Sequence, residues 1–208
     1  MVYFLYLCTV MLKKSDKTTK FIIEKAAPIF SKKGYTATSM ADITQATGLT
    51  KGAIYGNFVN KEAIAIAAFQ KNVNDLLVRI TKHQEKGKTF LDKLYLITDF
   101  YRQYEDYSRS LGGCPILNIG VDSSHQDTEL LSQVQFVINK TQQNIVRLIE
   151  KAIEDGTVKQ ETDPQQFAKM MYTRIQGAIF MSQTMGDKSY LIEATNELDE
   201  VITNKLKN

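Results

Sequence analysis

Apolar residues recur along this chain at intervals of three and four, and no stretch alternates apolar and polar as a half-buried strand would. Asp16 to Lys33 offers Ile22, Ile23, Ala26, Ile29 and Phe30 to one helical face, with Gly34 as its stop. Pro28 lies inside that helix, where a missing N–H should bend the axis. Lys61 to about Lys82 carries Ile64, Ala67, Ala68 and Leu76 in a stripe, with Asn60 as its N-cap. Thr89 to Tyr107 repeats Phe90, Leu91, Leu94, Ile97, Thr98 and Tyr101 and reads as one amphipathic helix. A break at Leu111 to Pro115 precedes a short segment, Ile116 to Val121. Asp127 to Asp155 is long and continuous, with Leu131, Val134, Ile138, Ile145, Leu148 and Ile149 inward and Gly156 closing it. Asp163 as N-cap and Pro164 at the first helical position open a helix through Met185, and Ser189 starts the last, ending near Lys205. The pattern predicts an all-α chain.

One stretch, Ala37 to Ala63, departs from the stripes. Ser39 is a good N-cap, and Asp42 three residues later completes a capping box and complements the helix dipole. Met40, Ile43 and Ala46 give the first short helix an apolar face, and Gly48 can take the left-handed conformation that ends it. Leu49 fills the gap, Thr50 caps a second helix, and Ile54 and Phe58 form its inward pair. Lys51, Gly52, Ala53, Tyr55, Gly56 and Asn57 stay outward. Each of the two glycines costs the helix about 1 kcal/mol, which points to a need for close backbone approach. A bare, basic helix with little to bury suits a DNA major groove better than a protein core.

The residues from about Thr18 to Phe69, including EKAAPIFSKKGYTATSM, GLTKGAIY and YGNFVNKEAI, resemble the DNA-binding region of the TetR (tetracycline repressor-like) family of bacterial transcription regulators. Asn57 departs from the aromatic residue or histidine usual there. The resemblance implies a helix-turn-helix three-helix domain over residues 15–62 and an antiparallel helical effector-binding and dimerisation domain over 63–208. It assigns DNA contact to Thr38, Ser39, Thr50, Lys51, Gly52, Ala53, Tyr55, Asn57 and Lys61. Lys51 and Lys61 would attract phosphate, Thr38 and Tyr55 would donate hydroxyl hydrogen bonds to it, and Gly52 and Ala53 would allow groove approach. Lys51 could instead reach a guanine edge, and the Ala53 methyl a thymine methyl.

Charge changes the picture along the chain. The net charge is +3. Residues 11–70 hold nine lysines against four acidic residues, whereas residues 71–208 hold 17 basic against 19 acidic ones. The positive charge lies with the reading head, as attraction to phosphate requires. Two cysteines, Cys8 and Cys114, exclude a disulfide framework, and neither histidine has metal-ligand spacing with them. No metal or cofactor is expected, and a reduced, cytoplasmic setting fits. Residues 1–14 include the apolar run MVYFLYLCTVML, too short to span a bilayer and without an N-terminal positive charge. Three readings stand: an upstream extension of the reading frame with Met11 as the working start, an ordered arm on the helical body, or a membrane-surface anchor.

Two further expectations concern pairing and sensing. Phe167, Met171, Ile175, Ala178, Ile179 and Met185, with Leu191, Ala194, Leu198, Val201 and Ile202, form apolar stripes on the last two helices. The stripes alone fit an intrachain core, while the resemblance implies a four-helix homodimer interface. GGCPILN, Gly112 to Asn118, looks like the G-C-P-x-x-N signature of a TetR subgroup responding to small organic or reactive molecules. Cys114 at a helix N-terminus is either a sensing thiol or a small buried hydrophobe. Leu94, Tyr101, Tyr104, Cys114, Leu117, Asn118, Phe136, Met171 and Phe180 are candidates for an effector pocket, although such stripes also build cores.

The expected function is a sequence-specific, dimeric DNA-binding regulator, read as a repressor and released from a palindromic double-stranded operator by a small-molecule or electrophile effector. A helical protein–protein adaptor is the alternative. No triad, phosphate-cradling loop or paired-carboxylate motif supports an enzyme, and no membrane partner is expected.

Overall fold

The computed structural model describes residues 17–125 and 128–208, with the side chain of Ser110 left out. The apolar run at residues 1–12 lies outside the described residues. The order is α1 (Lys17–Lys33), α2 (Met40–Thr47), α3 (Lys51–Tyr55), α4 (Lys61–Gln84), α5 (Phe90–Arg102), α6 (Tyr104–Ser110), α7 (Pro115–Ser123), α8 (Glu129–Glu154), α9 (Pro164–Met185) and α10 (Ser189–Val201), then a π-helical turn, Ile202–Leu206. No strand is present among the described residues; one isolated bridge joins Val158 and Lys207.

The helix ends follow the cap chemistry. Ser39 and Asp42 form the reciprocal capping box, and Gly48 sits at φ 68° as the C-cap of α2. Asp163 accepts from the N–H groups of Gln165 and Gln166, each at 3.0 Å, with Pro164 at the first helical position. The expected single helix over Thr89 to Tyr107 is corrected: it breaks at Gln103 into α5 and α6. The inward stripe runs across the break, since Tyr101, Tyr104, Glu105 and Ser108 are all buried. On α2 the buried pair is Ile43 and Thr47, and Ala46 is exposed.

Contacts divide the chain into two compact units. One holds the described residues up to Leu77 together with Leu111–Gln135; the other holds Val78–Ser110 and Phe136–Asn208. In the second unit α10 packs on α9 and α5. Arg102 bridges to Asp199 at 2.6 Å, and the Thr98 hydroxyl donates to the same carboxylate. Buried Glu105 accepts from Ser182 on α9 and pairs with Arg109. Leu191, Leu198 and Ile202 of the last helices are at most 1% exposed, as are Met171 and Ile179, so these residues are buried inside the unit, while Ala194 and Val201 are half-buried. Met185 stays out at 59%.

In the first unit α1 buries Ile22, Ala26 and Phe30, and Asn72 of α4 donates to the Ala27 carbonyl at 3.0 Å. The segment Gly112 to Asn118 makes a tight corner that docks α7 onto α1. Gly112 and Gly113 hold φ of 83° and 121°, which other residues rarely adopt. A Cβ on Gly112 would lie 2.8 Å from Cβ of Lys32, and one on Gly113 would lie 2.4 Å from Nδ2 of Asn118. Asn118 Nδ2 donates to the Ser31 carbonyl at 2.8 Å and to the Gly112 carbonyl at 3.2 Å. Asp122, one turn further on, accepts from the Thr36 N–H at 2.8 Å.

Gly113→Ala should therefore destabilise the fold by about 1–3 kcal/mol or more, from backbone strain plus displacement of Asn118. Asn118→Ala should cost a similar ~1–3 kcal/mol by stripping two carbonyls of their donor. Urea unfolding midpoints check both; unchanged midpoints would contradict the corner's role.

Candidate nucleic-acid interface

Helix α3 is five residues long and cannot hold itself in water. Packing holds it: Ile54 is fully buried and Phe58 is 9% exposed, each contributing about 1.5–3 kcal/mol by burial. Thr50 Oγ1 accepts from the Ala53 N–H at 3.2 Å and caps the helix. The outward face carries Lys51, Gly52, Ala53 and Tyr55, all exposed, with Tyr55 at 46%. No described side chain pairs with Lys51. A Cβ on Gly52 would meet only Thr50 Oγ1, at 4.0 Å, and one on Gly56 would find ordinary contacts at 3.5 Å. Neither glycine has positive φ, so nothing inside the chain requires it.

Thr38, Ser39, Asn57 and Lys61 instead make contacts within the chain that build the frame. Thr38 is 1% exposed, and its hydroxyl donates to the Gly34 carbonyl at 2.6 Å, which corrects its expected outward role. Lys61 donates from Nζ to the carbonyls of Tyr35 and Thr38, each at 2.9 Å, and stands 4.2 Å over the Tyr35 ring. Its charge tethers the start of α4 to the loop between α1 and α2. Asn57 Nδ2 donates to the Ala53 carbonyl at 2.8 Å, and its Oδ1 accepts from the Thr19 hydroxyl at 2.9 Å. That residue thus ties the end of α3 to α1. Ser39 is exposed but committed to Asp42 through its hydroxyl and its N–H. Lys33 reaches the same carboxylate at 2.6 Å. The Lys33 and Ser39 hydrogen bonds hold the Asp42 carboxyl well below the usual carboxylate range.

The effector candidates fall in both compact units. Cys114, Leu117 and Asn118 belong to the first unit; Leu94, Tyr101, Tyr104, Phe136, Met171 and Phe180 belong to the second. Leu94, Tyr101, Tyr104 and Met171 are buried, whereas Phe136 and Phe180 are 52% and 49% exposed. Cys114 is 1% exposed at the corner before α7. Sequence reasoning missed a recess in the second unit, where Arg79, Lys82, His83 and Lys86 face Phe100, Tyr104 and Tyr107. Its signal was Arg79, Lys82 and His83 on one face of α4, with Lys86 just past its end. It also missed a groove of about 590 Å³ in the first unit, between α1, α4 and the start of α8. No group of metal-ligating side chains occurs among the described residues.

Residues 22–68 match the family described as bacterial regulatory proteins, tetR family, and residues 91–198 match the tetracyclin repressor-like C-terminal domain. The chain belongs to the TetR family of transcriptional regulators. A TetR-family regulator structure from Cytophaga hutchinsonii is 34% identical, with TM-score 0.86, over 95% of this chain and 98% of that one. One from Chloroflexus aurantiacus is 29% identical, also with TM-score 0.86, over 91% and 96%. The transcriptional regulator TtgR of Pseudomonas putida is 24% identical over 80% of each chain. Members of the TetR family are DNA-binding regulators, not enzymes, and act as dimers with small-molecule ligands.

Asp42 gives the interface a pH dependence of definite sign. Its carboxyl is depressed in the folded state, so its contribution is fully present above its unfolded value of about 4 and is lost as pH falls below that toward the depressed value. Asp42→Asn should be less stable than the parent at pH 7, and the gap should close as pH drops below about 4. Urea unfolding of both proteins across that range checks it; a gap independent of pH would contradict the assignment.

Proposed function

We propose that this TetR-family chain is a homodimeric repressor that binds a palindromic operator through α3 and leaves it when a small molecule binds the rest of the chain. The supporting observation is the outward face of α3 and its C-cap: an exposed cation, the unforced glycines Gly52 and Gly56, a methyl and a tyrosine, fixed from beneath by Ile54 and Phe58. Lys51 is assigned to a phosphate or a guanine edge, Tyr55 and Thr50 to phosphate, Gly52 to close backbone approach and Ala53 to a thymine methyl. Thr50 can donate its hydroxyl proton outward while it accepts from Ala53. Thr38, Ser39, Asn57 and Lys61 are assigned to holding the reader's shape.

The functional division is placed at a reading domain of residues 15–62 and an effector and dimerisation domain of residues 63–208. Dimerisation is assigned to what the last helices leave exposed, including Phe180 and Met185, since their inward stripes are already covered. Within the family the chain is placed in the G-C-P-x-x-N subgroup on Gly113, Cys114, Pro115 and Asn118. The effector is read as acting without covalent attachment to Cys114, whose burial shields the thiol. None of the described helices is long and apolar enough to cross a membrane. The cytoplasmic assignment rests on work at DNA.

A gel shift on DNA flanking the gene tests the reading: specific binding should weaken steeply with salt, and binding indifferent to salt would favour a protein–protein adaptor. Lys51→Ala should weaken binding about uniformly and lower the salt slope by about one, if its contact is to phosphate. Tyr55→Ala should weaken binding across sequences, and Ala53→Gln should change preference at one base pair. Retained affinity in Tyr55→Ala would contradict this docking. Mild treatment of the folded protein with an alkylating electrophile should leave Cys114 unmodified by mass spectrometry. An adduct there, with DNA release lost in Cys114→Ser, would restore the sensing role.

A further inference from the structure

The last turns of α4 place Arg79, Lys82 and His83 at i, i+3 and i+4 on one helical face, and Lys86 follows in the turn just after the helix ends at Gln84. The Arg79, Lys82 and Lys86 charges repel one another, and with His83 they line a recess of about 360 Å³ shared with Phe100, Gln103, Tyr104 and Tyr107. The Arg79 guanidinium lies 4.5 Å from the Tyr107 ring centroid, and His83 meets Phe100 edge to face at 6.0 Å. Asp99 is the carboxylate at hand, and it is already shared between His83 at 2.7 Å and Arg102 at 3.3 Å. Lys86 sits 3.2 Å from the other ring nitrogen of His83. Arg79 and Lys82 have no carboxylate partner among the described residues. The recess therefore holds more cations than anions, above aromatic faces.

We propose that this recess binds a small aromatic anion, a one- or two-ring carboxylate. Its ring would lie against Phe100 and Tyr107, and its carboxylate would take the Arg79 fork with Lys82 as the second cation. The volume suits a compact ligand and lies near the lower end of small-molecule sites. An ordinary solvated basic face would show these side chains on a convex surface. Here they rim a concavity with a ring floor, and each half of such a ligand has its match. Only the consequence of binding, release of the operator, rests on the repressor reading; the site itself does not.

Calorimetry of the full chain without DNA tests it, with benzoate, salicylate and indole-3-acetate as probes. Salicyl alcohol serves as the neutral ring and inorganic phosphate as the ringless anion. At least one carboxylate should bind once per chain, with salicyl alcohol and phosphate each about tenfold weaker or more. Arg79→Gln and Lys82→Gln, both at exposed positions, should each lower that affinity about tenfold, with the folded state checked by circular dichroism. Absence of binding by all three carboxylates would overturn the proposal. So would equal binding by phosphate, or affinity unchanged in the two variants. Because no DNA is present, these outcomes are separate from any failure of operator binding.

Discussion

Burial of Ile54 and Phe58 is what keeps α3 helical, and the reading surface depends on that. Five residues supply hardly a turn of backbone hydrogen bonds, which is below what an isolated helix needs in water. Two inward side chains and one cap compensate, and they do so on one side alone. The other side is left with no obligation to the chain. Lys51, Gly52, Ala53 and Tyr55 are free for an external partner because Ile54, Phe58 and Thr50 anchor the helix. The frame around it is polar and equally one-sided. Lys61, Asn57, Thr38 and the Ser39–Asp42 box each satisfy a backbone group or a near neighbour, fixing the angles of α2, α3 and α4.

The corner at Gly112 to Asn118 has a structural job that its motif alone does not reveal. Its two left-handed glycines and the Asn118 amide serve the close approach of α7 to α1. Cys114 is buried in that corner. The motif therefore attaches α7 to α1. In the second unit, cations and aromatic rings converge at the end of α4, where the aromatic-anion site is proposed.

What was legible in the sequence was local. Caps at Ser39, Thr50 and Asp163 and the stop at Gly48 are written in side chains a few residues from the backbone groups they satisfy. The inward pair of α3 follows from helical spacing. The break at Gln103 was hidden because the apolar period runs straight through it. Thr38 and Lys61 looked like phosphate ligands because a hydroxyl and an ammonium suit one. Their actual acceptors are carbonyls, and Lys61 lies 23 and 26 residues from the two it meets. Phe136 and Phe180 fitted a stripe, but periodicity does not say which side of a wide stripe a neighbouring helix covers. The basic face of α4 passed unnoticed since lysines near a helix C-terminus usually serve the dipole and solvent.

The central claim is that two rigid readers of this kind act as a pair on one duplex. Sequencing of random DNA selected by the purified protein tests it most directly. The account predicts an enriched inverted repeat whose half-site centres lie about 34 Å apart along the duplex or a multiple of that. Enrichment of no sequence, or of a single half-site without its mirror, would contradict it.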